Sequence, residues 1–192
     1  MKKYILVLDL DETLLYTNSN GKTIPRPGLK KFIKELSNIM YIVLYTAALK
    51  SYADNLLKKY DIYDFFDAKL YRNSCVVINN QFSKDLNVVA KKLIYHKINK
   101  KNNIPKSLLV KNNKITLDYM IFIDNLAENC FLQPKNCIII KDYTGQQNDK
   151  ALKYINKFLN NLYRFSNNNI KPYLNKNLHQ INKYTKKSIN KN

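Results

Sequence analysis

The stretch ILVLDLDETLLYT, residues 5–17, constrains the chain more than any other. Ile5 to Leu8 form an unbroken apolar run, which reads as a strand buried on both faces, the kind that parallel sheets contain. The run ends in Asp9, and Asp11 follows two positions later. A carboxylate at the end of a buried strand is costly unless a cation or hydrogen-bond donors meet it. Packing alone would place another leucine there, so the pair asks for a chemical explanation.

The rest of the chain repeats the alternation of short apolar runs with helix-period segments that marks an α/β fold with a mostly parallel sheet. After a PRPG loop, Leu29, Phe32, Ile33 and Leu36 fall at helical spacing, and YIVLYT (41–46) reads as a second buried strand. Leu49, Tyr52, Ala53, Leu56 and Leu57 mark an amphipathic helix, FDAKLY (66–71) a shorter strand, and CVVI (75–78) one arm of a hairpin turning on NN. Residues 86–98 regain helix period, SLLVKNNKITL reads as a two-strand hairpin, and YMIFID (119–124) and CIII (137–140) are again buried-strand runs. A closing helix carries Leu152, Ile155, Phe158, Leu159 and Leu162. From Ser166 to the last residue the chain is Asn/Lys-rich without one acidic residue, and it reads as a disordered tail. The expected organisation is one domain over 1–165 followed by that tail over 166–192.

Three of these strands end in polar residues, Asp9, Thr46 and Asp124. Open parallel sheets bind ligands in the crevice outside the carboxyl ends of their strands. Separate segments can therefore bring two carboxylates and a hydroxyl to one place. Asp11 can join them as the first strand opens into its loop. Such a group of carboxylates repels itself unless a cation sits among them, and magnesium, bound by one or two carboxylates plus water and phosphate oxygens, suits it. Taken singly, Thr46 would serve equally well as the N-cap of the helix that follows.

The formal net charge is +19, and lysine supplies nearly all of it, since the arginines are Arg26, Arg72 and Arg164 alone. Together with the abundance of asparagine, this reads in part as compositional bias, and it implies only weak, salt-dependent attraction to nucleic acid. No apolar run approaches the roughly 18–20 residues that span a bilayer. The run behind Lys2 and Lys3 is interrupted by Asp9, which excludes a signal peptide. Cys75, Cys130 and Cys137 have no CxxC spacing and no neighbouring His, so they read as reduced thiols of a cytoplasmic or nuclear protein.

DLDETL (9–14) resembles the DxDx(T/V) nucleophile motif of the haloacid dehalogenase superfamily. RPGLKKFIKEL, YIVLYTAALKSYADNLL, FFDAKLYRNSCVVINNQFSKDL and IFIDNLAENCFLQPKNCIIIKDYTGQQNDKAL resemble, in order, segments of the small RNA polymerase II C-terminal-domain phosphatases of the NLI-interacting-factor-like group. The resemblance covers about residues 3–162. It implies a Rossmann-like fold, a central mostly parallel sheet flanked by helices with a small β insertion, and a magnesium-dependent phosphoaspartyl mechanism. Asp9 would be the nucleophile and Asp11 the general acid and base. Thr46 would bond a phosphoryl oxygen, and Lys84 would offset charge on the nucleophile and the transferring group. Asp124 and Asn125 would hold magnesium with Asp9 and the backbone carbonyl of Asp11. Thr13, Tyr52 and Arg72 would contact substrate, Tyr52 by lining a proline pocket and Arg72 by its planar fork on phosphate.

Two departures from the family pattern bear on substrate. The usual DNSP is DNLA here, and a basic stretch over about 88–117 replaces a much shorter segment. The apolar face of its helix, Leu86, Val89, Ala90, Leu93 and Ile94, should dock on the domain. The implied substrate is a phosphorylated protein or peptide, with the RNA polymerase II tail as a candidate, handled by a monomer without a membrane. A nucleic-acid 3′-phosphatase, a small-molecule phosphatase and a non-catalytic phosphoprotein-binding module remain alternatives, because fold analogy alone does not separate them.

Overall fold

The computed structural model describes residues 2, 4–99, 109–110, 114–166, 170–177 and 181. The strands are β1 (Tyr4–Leu8), β2 (Leu15–Thr17), β3 (Thr23–Pro25), β4 (Met40–Tyr45), β5 (Ala68–Leu70), β6 (Val76–Ile78), β7 (Gln81–Ser83), β8 (Leu109–Val110), β9 (Lys114–Ile115), β10 (Met120–Asp124) and β11 (Cys137–Ile139). The helices are α1 (Leu29–Ser37), α2 (Lys50–Lys59), α3 (Leu86–Asn99), α4 (Ala151–Phe165) and α5 (Ile170–Asn177).

Five strands form the central sheet in the order β11-β10-β1-β4-β5, and every pairing is parallel. All five residues of β1 are buried, which explains why that strand is apolar throughout. Its side chains alternate between two cores. Tyr4, Leu6 and Leu8 pack with α1, α2, α4 and α5, while Ile5 and Val7 pack with α3. The chain passes from β1 to β4 and β5 on one side, then returns to β10 and β11 on the other. The sheet thus has its topological switch beside β1, where a crevice opens at the carboxyl ends.

The basic segment behaves as its periodicity predicts at its start: Leu86, Val89, Ala90 and Leu93 of α3 are buried in the second core. The hairpin expected at CVVI is β6 paired with β7. Its turn residues Asn79 and Asn80 both take positive φ, 50° and 60°, as a two-residue turn between twisted strands requires. β8 and β9 pair antiparallel, as the second expected hairpin. Among the described residues no helix is long and apolar enough to cross a membrane.

Two expectations change. Residues 170–177, read as part of a disordered tail, form α5, and Ile170 and Leu174 are buried in the larger core. The spacing i, i+4 supplies one apolar edge, which is enough when a domain surface waits to receive it. Residues 167–169, 178–180 and 182–192 of that tail lie outside the described residues. The second change concerns sulfur. Cys130 and Cys137 are joined in a disulfide with Cα atoms 5.9 Å apart, while Cys75 is a free, half-buried thiol. The short loop from the end of β10 to β11 folds back and brings the two within bridging range. Of the three thiols expected to be reduced, Cys75 alone is free.

Candidate active site

Three adjacent strands carry the polar groups to one edge of the sheet. The Asp9 amide donates to the Ile123 carbonyl at 3.0 Å, extending the β1–β10 ladder by one residue, and the Thr46 amide donates to Leu70 at 3.0 Å beyond β4–β5. Asp124 closes β10. Each group therefore sits on paired backbone rather than on a loose loop.

Lys84 follows β7 and comes up beneath them. Its side chain is 1% exposed, and Nζ donates to Asp9 Oδ1 at 2.5 Å and to Asp124 Oδ2 at 2.6 Å. Burial alone would lower the lysine pKa, but the charges of Asp9 and Asp124 outweigh it and hold Lys84 above the ordinary range. Asp124 is pushed up to about 6, by burial first and then by the charge of Asp9, against the bonds from Lys84 and Asn129. Both Asp124 oxygens are already engaged. Oδ1 accepts from the Leu126 amide and from Asn129, and Oδ2 accepts from Lys84 and Asn129.

Asp11 stands higher, half-buried in the turn after β1. The Leu14 amide donates to Leu10 at 2.8 Å, and Glu12 takes a φ of 57°, a left-handed conformation costing a non-glycine residue about 1–2 kcal/mol. That turn is held from outside, since the Glu12 carbonyl accepts from the Tyr143 amide at 2.7 Å. The carboxyl of Asp11 is raised above its ordinary pKa, chiefly by burial, and a hydrogen bond from Tyr52 opposes the shift. The Thr46 oxygen accepts from the Ala48 amide at 3.0 Å, so part of its role is the local turn, and that bond leaves its hydroxyl proton unused. Arg72 anchors Nε on the Ala47 carbonyl at 2.7 Å and lies 5.6 Å from the centre of the Phe82 ring.

Asp9, Asp11, Thr46, Lys84, Asn125, Tyr52 and Arg72 all line one cavity of about 610 Å³. Thr13 and Asp124 do not. Thr13 is wholly buried, and its hydroxyl donates to Asn125 Oδ1 at 3.2 Å, so it orients Asn125 where a substrate contact was expected. The reason is geometric: the tight turn that lifts Asp11 to the cavity sends Thr13 inward. Asn125 Nδ2 in turn reaches Glu12 at 3.3 Å and Asp142 at 3.2 Å.

Two contributors escaped the sequence reading. Asn129 supports both oxygens of Asp124 at 3.0 Å, and nothing distinguishes it in an asparagine-rich chain. Arg26 is 1% exposed and ties the two loops behind the site. Its fork holds Asp149 at 3.0 and 2.9 Å and also donates to the carbonyls of Thr13 and Lys141 at 3.0 and 3.1 Å. Its signal was being an arginine where this chain habitually uses lysine.

The donors available to a metal are hard oxygens: Asp9, Asn125, the Asp11 carbonyl and, beneath them, Asp124. No histidine or cysteine among the described residues lines the cavity. Among the described residues no three His, Cys, Asp or Glu side chains converge as a metal cluster. One or two carboxylates with amide and carbonyl oxygens fit magnesium, which keeps its other positions for water and phosphate. Asp124 could join such a set only after Lys84 or Asn129 yields an oxygen.

The α/β fold with its central parallel sheet is one already seen in a solved structure. It matches the solved structure of a fission yeast RNA polymerase II CTD phosphatase, Fcp1, with a TM-score of 0.50 and 15% identity, over 98% of this chain and 59% of that one. The chain belongs to the NLI interacting factor-like phosphatase family, whose sequence model matches residues 4–171. It is 27% identical to CTD small phosphatase-like protein 2 of Dictyostelium discoideum over 83% of its length, and 32% identical to Phosphatase Herzog of Drosophila melanogaster over 80%. It is also 30% identical, over 89%, to the mitochondrial import inner membrane translocase subunit TIM50 of Arabidopsis thaliana. The chain spans 27%, 42% and 40% of the length of those three proteins.

Proposed function

We propose that this protein hydrolyses phosphoserine or phosphothreonine in proteins, with magnesium, through a phosphoaspartyl intermediate on Asp9. The observation that carries the reading is Lys84 between the Asp9 and Asp124 carboxylates on the floor of a cavity with Asp11 at its mouth. Asp9 uses one oxygen on Lys84 and has the other for attack on phosphorus, so one difficult displacement becomes two easier ones. Asp11 protonates the departing serine or threonine oxygen, then takes a proton from the hydrolytic water. Burial raises the pKa of its carboxyl, which favours the protonated form that a general acid needs. Thr46 and Lys84 meet the phosphoryl oxygens as charge moves onto them. Asp9, Asn125 and the Asp11 carbonyl would hold magnesium, which supplies charge neutralisation at the phosphoryl group. Arg72 at the rim suits a phosphate, and the names of the relatives make the RNA polymerase II tail the first substrate to try.

The test is turnover of p-nitrophenyl phosphate and of a phosphoserine peptide with magnesium, with EDTA, and in Asp9→Asn. Activity should require the metal. The variant should lose far more than tenfold, the equivalent of about 1.4 kcal/mol in barrier. Retention within tenfold would reject the phosphoaspartyl assignment. The similarity to a translocase subunit favours one other reading, a phosphoprotein-binding module in a related role. Peptide binding without any turnover would support that alternative.

A further inference from the structure

Tyr52, on the first turns of α2, was expected to offer its ring to substrate. Its hydroxyl does something else. It donates to Asp11 Oδ1 at 2.9 Å, and the Thr17 hydroxyl lies 3.0 Å behind it. Thr17 in turn meets the Thr23 hydroxyl at 3.2 Å, across the β2–β3 ribbon. A phenol has one proton to give. With that proton on Asp11, Thr17 must donate to the phenol oxygen, so the hydroxyls form a one-way series that ends on a single carboxyl oxygen. Among the described residues this is the side-chain hydrogen bond that Asp11 receives.

We infer that Tyr52 is the positioning residue for the general acid and base Asp11, and that its hydroxyl decides which carboxyl oxygen faces the reacting group. The inference rests on the reading proposed above. Rotation about the last bond of an aspartate is broad and poorly specified, so an unsupported carboxyl spends little time in one orientation. A donor fixed on Oδ1 stops the rotation and disfavours a proton on that same oxygen. The acid proton therefore resides on Oδ2. In the first half-reaction the bond from Asp9 oxygen to phosphorus forms, the bond from phosphorus to the serine oxygen breaks, and the Oδ2 proton passes to that oxygen. In the second, water attacks phosphorus and loses its proton to Oδ2, and the Asp9 carboxylate is released with inorganic phosphate. Both transfers need the same oxygen in the same place, which the Tyr52 bond secures.

The consequence is specific to the leaving group. A nitrophenolate departs without help, whereas a more basic oxygen must be protonated as it leaves. The experiment uses the full chain with magnesium and measures kcat/KM, which reports the first half-reaction, for phenyl phosphates of graded leaving-group basicity. These esters share the phosphoryl group and the aromatic ring, so loss of a contact to either would affect all of them alike. In Tyr52→Phe, which keeps the ring, the deficit should grow by at least tenfold from p-nitrophenyl to unsubstituted phenyl phosphate. Asp11→Asn should show the same or a steeper trend, and adding Tyr52→Phe to it should cost nothing more. A uniform deficit across the series, or none, would overturn the inference while leaving the Asp11 assignment in place. A flat series for Asp11→Asn would remove the assignment and this inference together. Tyr52→Leu, which also removes the ring, should raise KM for a phosphopeptide beyond the effect of Tyr52→Phe.

Discussion

The floor and the rim of the cavity are made by opposite rules. On the floor, Lys84 and Asn125, with Asp124 just beneath them, are almost fully buried and each charge has named partners. On the rim, Leu49 is 56% exposed and Leu126 47%, apolar side chains left in water beside Arg72 and Tyr52. Buried charge is stable only in one geometry, because removing any partner leaves an unsolvated group behind. Exposed apolar surface tolerates change, and it gains only when something covers it. The bottom of the cavity is thus held to one arrangement, while the top is left adjustable.

The strongest way to break this contrast is Lys84→Ala. It deletes the ammonium between two buried carboxylates and should cost about 3–5 kcal/mol of stability in addition to turnover. Urea unfolding and phosphatase assays on the same preparation would measure both losses. An active variant of unchanged stability would mean that the floor is not organised around that lysine.

A smaller effect is expected one layer behind the floor, at Arg26 and Asp149. Burial opposes ionisation of Asp149, but the hydrogen bonds from Arg26 prevail and hold its carboxyl below the usual range. A lowered folded pKa means stability that is present above the ordinary carboxylate value of about 3.9 and is lost as pH falls through the folded value. Asp149→Asn should therefore destabilise by about 1.5–3 kcal/mol at neutral pH. That difference should shrink in acid, where the wild type loses the same interaction. Unfolding midpoints across pH 3 to 7 would check both the size and the sign.

The smallest effect belongs to the rim. Arg72→Lys keeps the charge and loses the planar fork, so KM for a phosphopeptide should rise roughly threefold to tenfold with kcat nearly unchanged. Stability should move by no more than about 0.5 kcal/mol. A large loss of stability would move Arg72 from the rim to the floor.

How much of this was legible in the chain depended on whether a signal was local. Asp9 and Asp11 stand out because a buried strand rarely ends in charge, and the Asn79–Asn80 turn because few residues accept positive φ. Lys84 was different. One lysine among so many carries no message of its own, and only its place in a family-like segment marked it. Its partners lie at positions 9 and 124, brought together by the sheet order. Asn129 and the Cys130–Cys137 pair were invisible for the same reason, since loop folding sets those distances and spacing does not. In α5 the composition misled, because two well-placed apolar residues suffice to dock an otherwise polar helix.

The sheet order also sets a timetable. β1 pairs with β4 on one side and with β10 on the other, where Ile5 lies opposite Met120. As a ribosome extends the chain at about 5–20 residues per second, β10 follows β1 by roughly 6–23 s. Through that interval β1, which leads into Asp9, has one edge without a partner. Only when residues past 120 emerge does the Ile123 carbonyl meet the Asp9 amide. The nascent protein must keep that apolar edge from neighbouring chains in the meantime, and the cavity is complete only once β10 has joined the sheet.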